Sequence, residues 1–330
     1  MKIPLDLRRR ACVGACVVMA AVASCIAPAA YSAYPDRPIT LIVPFSAGGT
    51  VDSVARLLAA QMGTELKTHV IVENVPGAGG TIAEQRVARS KPDGLTLLFA
   101  TPNHTINPAI LHNLPFDTER DFAPISLAAQ IPELLIANSK QPYSDFKGFV
   151  AYAKAHPGQL NYGSAGVGTL PHVTMELLLQ KLGIKVTHIP YKGAAPAMND
   201  LLGGQVAIKM DTIVTSLPQI QAGRLKPLAL ASTQRSPLLP NVPTIAESGV
   251  PGYEATLWMG FLAPKGTSPQ VIDTVDRAIE QSLKRPELLK QFAVYGVEPV
   301  GSTPAAFQSQ ISAELKQWAT VVQRANITAN

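Results

Sequence analysis

Short β-branched and aliphatic runs alternate with helix-patterned stretches along this chain, and four of the junctions between them are built around glycine. Ile39-Thr40-Leu41-Ile42-Val43 ends at Pro44-Phe45-Ser46-Ala47-Gly48-Gly49-Thr50-Val51-Asp52, after which Val54, Leu57, Leu58 and Met62 recur at helical spacing. Val70-Ile71-Val72 runs into Asn74-Val75-Pro76-Gly77-Ala78-Gly79-Gly80 and a helix over residues 81–90; residues 95–100 read as a third strand. The device recurs at Tyr162-Gly163-Ser164-Ala165-Gly166-Val167-Gly168-Thr169, before a helix opened by Pro171. It recurs again at Tyr191-Lys192-Gly193-Ala194-Ala195-Pro196, after a strand at residues 186–190. Such strand–turn–helix repetition constrains the chain to an α/β fold with a largely parallel sheet.

Further strands are expected at residues 125–128, 133–137, 206–210 and 228–231, with a helix over 145–156 and long helices over 267–289 and 304–325. No Pro/Ser-rich linker divides the chain, so two lobes require the polypeptide to pass between them twice, near residues 101–107 and 223–228. The expected division is a lobe of residues 33–102 plus 226–330 and a lobe of residues 103–225. Two passages make a hinge, and a ligand between α/β lobes sits at the carboxyl ends of the strands.

Residues 1–32 read as a signal peptide. Arg8-Arg9-Arg10 precedes an uncharged stretch from residue 11 to residue 33 that is rich in Ala, Val and Cys. Ala30-Tyr31-Ser32 places small residues where a signal peptidase reads, giving cleavage before Ala33. Val22-Ala23-Ser24-Cys25 also matches a lipoprotein box, in which Cys25 is lipidated, and a retained anchor is the third alternative for an uncharged run of this length. The leader carries +3; the remainder, with 24 basic against 22 acidic residues, carries +2 and has no basic run, which excludes the footprint of a nucleic-acid binder. All three cysteines (Cys12, Cys16, Cys25) lie in the leader, so the exported chain is expected to hold no disulfide and no thiolate site. With 47% hydrophobic and 15% charged residues, the remaining chain has ample material for a core.

Glycine permits positive φ and close approach of a ligand to the main chain. The first turn of a helix adds unpaired N–H groups and about half a positive charge. A pair of such turns is an anion site that needs neither Lys nor Arg. Catalytic and cofactor motifs are missing by contrast: no phosphate loop, no G-x-G-x-x-G after the first strand, no G-x-S-x-G around Ser164, and no H-x-x-x-H among the six histidines. No cofactor is expected. Asp52 and Arg56, four apart on one helix, suit each other as an ion pair, and Asp52 can also shape the first turn. His172 follows the third turn and Lys192 lies in the fourth. Lys209 and Asp211 share one face of their strand and form a charge pair in the cleft if that face borders it.

At these turns the chain resembles the periplasmic receptors of the tripartite tricarboxylate transporter family, the Bug-type solute-binding proteins. The resemblance runs in order through Tyr34-Pro35-Asp36-Arg37-Pro38-Ile39, the first two turns, Pro92-Asp93-Gly94, Asn107-Pro108, Leu114-Pro115-Phe116-Asp117 and Asp121-Phe122-Ala123-Pro124-Ile125. It continues through Tyr162-Gly163-Ser164, Pro190-Tyr191-Lys192-Gly193, Asp200-Leu201-Leu202-Gly203-Gly204, Pro243-Thr244, Pro251-Gly252-Tyr253-Glu254 and residues 258–264. It implies an α/β two-lobed periplasmic-binding-protein (Venus-flytrap) fold with two crossing segments. It also implies a monomer that binds a small organic carboxylate and delivers it to integral-membrane permease subunits. The ligand-binding positions it implies are Phe45, Ala47, Gly48, Gly49 and Asp52 in the first turn, and Ser164, Ala165, Gly166, Gly168 and Thr169 in the opposing one. His172, Lys192 and Asp211 complete the set, and Lys209-Met210 departs from the apolar pair common in the family. Two other readings share these residues: an exported α/β hydrolase-like enzyme using Ser164 and His172, and a ligand-binding co-receptor for a membrane sensor kinase.

Overall fold

The computed structural model describes residues 34–111 and 113–328, and its main compact unit begins at Arg37. The expectations for the arginine run, for cleavage before Ala33 and for Cys25 lie outside the described residues.

Strand β1 (Ile39–Val43) lies between β2 (Val70–Asn74) and β3 (Thr96–Ala100), all three parallel. Helix α1 (Thr50–Leu66) joins β1 to β2, and α2 (Thr81–Ala88) joins β2 to β3. The arrangement repeats in β5 (Asn161–Ser164), flanked in parallel by β6 (Thr187–Pro190) and β7 (Ile208–Thr212), with α5 (Leu170–Leu182) and α6 (Ala194–Gly203) as crossovers. Each glycine-rich turn therefore sits at the carboxyl end of a parallel strand and at the start of a helix, as the sequence implies. α1 forms because Val51, Val54, Ala55, Leu58, Ala59 and Met62 make one buried stripe at helical spacing; it stops at Lys67, whose φ of 53° is left-handed.

The two repeats are joined through β4 (Phe122–Asn138), one strand of 17 residues where two short ones are expected. Its first part, residues 122–132, pairs antiparallel with β9 (Thr256–Pro264), which lies beside β3. Its second part, residues 133–138, pairs antiparallel with β7 and with β8 (Leu225–Leu230). Pairing thus changes from one strand set to the other at Pro132–Glu133, and the chain returns at Ala255–Thr256, whereas the sequence reading puts the passages near residues 101–107 and 223–228. Three main-chain bonds clasp the passages: Glu133 N to Ala255 O (3.0 Å), Ala255 N to Ala231 O (2.8 Å) and Ala231 N to Glu133 O (2.8 Å). The sheet is mixed rather than largely parallel, because β4, β8, β9 and β10 (Glu298–Pro299) pair antiparallel.

Helices α3 (Asn103–Ile110), after β3, and α7 (Ile213–Gln221), after β7, are absent from the sequence reading because each holds a proline, Pro108 and Pro218, which ordinarily breaks a helix. The expected helix over 267–289 is two, α8 (Pro269–Leu283) and α9 (Pro286–Val294), since Pro286 drives Arg285 to an extended φ/ψ of −73°/122°. The remaining helices are α4 (Phe146–Ala155) and α10 (Pro304–Ala325). Ile106 and Ile110 of α3, Leu170 and Val173 of α5, and Trp318 and Val321 of α10 form one apolar cluster that spans both repeats.

Candidate functional site

The six helices that follow parallel strands share one property: none has its N-terminus capped by a side chain. By contrast α4, α8 and α10, which follow antiparallel strands, are capped by Asp145, Ser268 and Thr303. The uncapped starts therefore all lie at the carboxyl ends of parallel strands, where a helix carries its partial positive charge.

In the first turn Ala47, Gly48 and Gly49 are exposed and Phe45 is half-buried. Asp52 is buried beneath them, and every oxygen it has is engaged within the protein. Oδ2 accepts from Gly48 N (2.9 Å) and Arg56 Nε (3.1 Å); Oδ1 accepts from Asn74 Nδ2 (2.9 Å) and lies 3.0 Å from Arg56 Nη2. Asn74 also donates to Phe45 O (3.0 Å). Burial opposes ionisation of Asp52, but the bonds from Arg56, Gly48 and Asn74 outweigh it and hold the carboxyl below its usual value. Asp52 therefore shapes the turn; it is not a free ligand donor.

The third turn is organised by imidazoles. His172 Nδ1 accepts from Gly168 N (3.0 Å), so its proton sits on Nε2. Ser164 Oγ lies 2.7 Å from His188 Nε2 and accepts from Gly166 N (3.1 Å). The two rings stack at 3.8 Å, and His188 stacks in turn on Tyr162 at 4.8 Å. Burial pushes His172 down to about 3, helped by the neighbouring ring, and His188 down to about 4, so both rings are neutral at neutral pH. Ala165 O accepts from Gly193 N (3.0 Å), lacing the fourth turn to the third, while Lys192 itself points out exposed. Ser164 is fully buried and pairs with His188 rather than His172. Among the described residues no carboxylate bonds to either ring, so the hydrolase constellation is not assembled. Nor, among them, is there a cluster able to hold a metal ion.

The third turn meets the second. A cavity of about 310 Å³ lies between Ala78 and Gly79 of the second turn, Asn103 and Asn107 of α3, and Gly168 and Thr169 of the third. The Nδ2 groups of Asn103 and Asn107 both donate to Gly79 O at 3.1 Å, leaving each a second hydrogen to donate. The second turn is strongly bent, with positive φ at Gly77, Ala78, Gly79 and Gly80. At Gly168 (φ 75°) the left-handed backbone favours glycine, and a Cβ would stand 2.5 Å from Ile110 Cδ1, so the end of that side chain would have to move. Asn103, Asn107, Ala78 and Gly79 are missing from the sequence-derived set; the glycines of that turn and the Asn107-Pro108 pair were its visible traces. Asp211 pairs with Lys209 at 3.0 Å, but both are buried in the strand layer, and the pair does not line this cavity.

The chain belongs to the tripartite tricarboxylate transporter receptor family: the model of that family, described as "Tripartite tricarboxylate transporter family receptor", matches residues 54–327. The periplasmic binding protein BugD is 36% identical, with a TM-score of 0.75 over 90% of this chain and all of its own. Rpa4515 of R. palustris, solved with adipate, is 34% identical with a TM-score of 0.78, covering 90% of this chain and 100% of that one. MatC from Rhodopseudomonas palustris, solved with bound malate, is 33% identical with a TM-score of 0.73, covering 88% and 100%. The fold is thus the two-lobed α/β periplasmic-binding-protein fold, and the family is one of solute-binding proteins, not enzymes. Among the described residues no helix is long and apolar enough to cross a membrane.

Proposed function

We propose that this receptor works in the periplasm, captures a small organic carboxylate between two lobes at the facing glycine-rich turns, and delivers it unaltered to membrane permease subunits. Residues 37–132 with 256–328 act as one lobe and residues 133–255 as the other, hinged where β4 changes partners. The observation that carries the reading is the meeting of the second and third turns around one cavity, at helix starts that no side chain caps. Helix starts favour a carboxylate by about 0.3–1 kcal/mol each at exposed sites, and charge-assisted hydrogen bonds add about 1.5–3 kcal/mol apiece. Two such ends select an acid with charge at both termini, in keeping with the adipate and malate held by the two R. palustris relatives.

Calorimetry against adipate, malate, a tricarboxylate, an acidic amino acid and an aromatic acid tests it. One saturable site for at least one acid is expected; folded protein that binds none of them contradicts the reading.

A further inference from the structure

Both passages between the repeats are bonded to a single residue of the helix that opens in the third turn. Glu133, on the outgoing passage, has Oε2 2.7 Å from the Thr174 hydroxyl. Tyr253, on the returning passage, donates its hydroxyl to Thr174 O at 2.8 Å. All three side chains are buried, at 2%, 0% and 1% exposure. Thr174 lies one turn into α5, and its hydroxyl is also 2.8 Å from Leu170 O, the carbonyl of that helix's first residue.

A hydroxyl has one hydrogen. Facing a carboxylate oxygen and a carbonyl oxygen, Thr174 can donate fully to only one of them. Both contacts become full two-centre hydrogen bonds when Glu133 carries a proton and donates it to Thr174 Oγ, freeing the Thr174 hydrogen for Leu170 O; with Glu133 ionised the single hydrogen must be shared or turned to one side. The charged and titratable groups around Glu133 are few. Lys209 and Asp211 on β7 form their own ion pair, Tyr253 stays protonated, and His172, two residues back on α5, is neutral. Burial pushes the Glu133 carboxyl up to about 7; the Thr174 bond and the Lys209 charge oppose this, while the Asp211 charge adds to it.

We propose that Glu133 is a proton-carrying positioning residue. As a neutral acid it fixes the start of α5 to the hinge; on releasing its proton to solvent it turns the Thr174 hydroxyl away from Leu170 O, loosens that helix start and weakens carboxylate capture. The effect on capture rests on the function proposed above, whereas the proton and the helix start stand apart from any ligand.

Amide hydrogen exchange of residues 170–176 in the ligand-free protein, corrected for intrinsic rates, separates the two. Protection in the wild type should fall roughly fivefold from pH 6 to pH 8, as one unit of linked pKa allows over that range, and this pH difference should vanish in Glu133→Gln, whose amide donates to Thr174 at every pH. Thr174→Val, which removes the hydroxyl, should flatten the profile too and serves if the Gln variant does not fold. An unchanged pH difference in either folded variant, or none in the wild type, overturns the proposal. With adipate and malate as probes, Kd should rise roughly fivefold from pH 6 to pH 8 in the wild type and stay level in Glu133→Gln, matching a one-unit shift on binding. Failure of both acids to bind would count against the function while leaving the exchange result to decide on Glu133.

Discussion

The first and third turns solve one problem with opposite chemistry. Each must hold a glycine amide at a strand-to-helix junction. The first uses a buried carboxylate, Asp52, held ionised by Arg56 and Asn74; the third uses two neutral imidazoles stacked beneath it. A carboxylate under a helix start consumes part of the positive potential that an incoming anion would use, and Arg56 restores it. Neutral imidazoles consume none. Under the function proposed above, the third turn keeps more of its positive potential for an incoming anion than the first.

Acid separates the two most sharply. The folded values of His172 and His188 lie at about 3 and about 4, below the ordinary 6.5. Their contribution to stability is complete above about pH 6.5 and disappears as pH falls through those folded values. Asp52, depressed from 3.8, keeps its contribution until the pH drops below that. Between pH 6.5 and pH 4 the third turn should weaken while the first holds, because the unfolded chain takes up the two imidazole protons that the folded turn excludes. Urea unfolding across this range reads it. An identical slope in His172→Gln/His188→Gln would break the comparison.

Glycine replacement comes next. Gly168→Ala combines left-handed strain with a Cβ 2.5 Å from Ile110 Cδ1 and should cost about 2–5 kcal/mol. Gly48→Ala is equally left-handed, at φ 85°, but opens into free space and should cost about 1–2 kcal/mol. Equal midpoint shifts for the two variants would show that Ile110 yields. The Asp52 network should register a similar or smaller effect: Asp52→Asn removes charge from the bonds to Gly48, Arg56 and Asn74 and should cost about 1.5–3 kcal/mol. Arg56→Ala, at a half-exposed partner, should cost under about 1 kcal/mol by denaturant midpoint. If Arg56→Ala proved the worse of the pair, Asp52 would not be the organiser.

What the sequence makes legible follows from range. The strand–turn–helix repeat and the Asp52–Arg56 pair are local, set by β-branched runs, glycines and four-residue spacing. The i, i+2 pairing of Lys209 with Asp211 is local as well. β4 is not: it holds Pro124 and Pro132, and it is one strand only because different partners accept its two parts. The stacking of His172 on His188 unites α5 with β6, and the cavity unites the second turn with the third through α3. No spacing rule reaches across such distances. Asn103 and Asn107 were hidden for the further reason that their helix contains Pro108.

The central claim is that amides from facing turns hold a carboxylate. Backbone amide NMR shifts, followed while the tightest-binding acid of the panel is titrated in, test it most directly. The account predicts saturable shifts concentrated at residues 77–80 and 165–169, on both sides of the cavity. Saturable binding that leaves those amides unmoved, or moves them on one side alone, would contradict it.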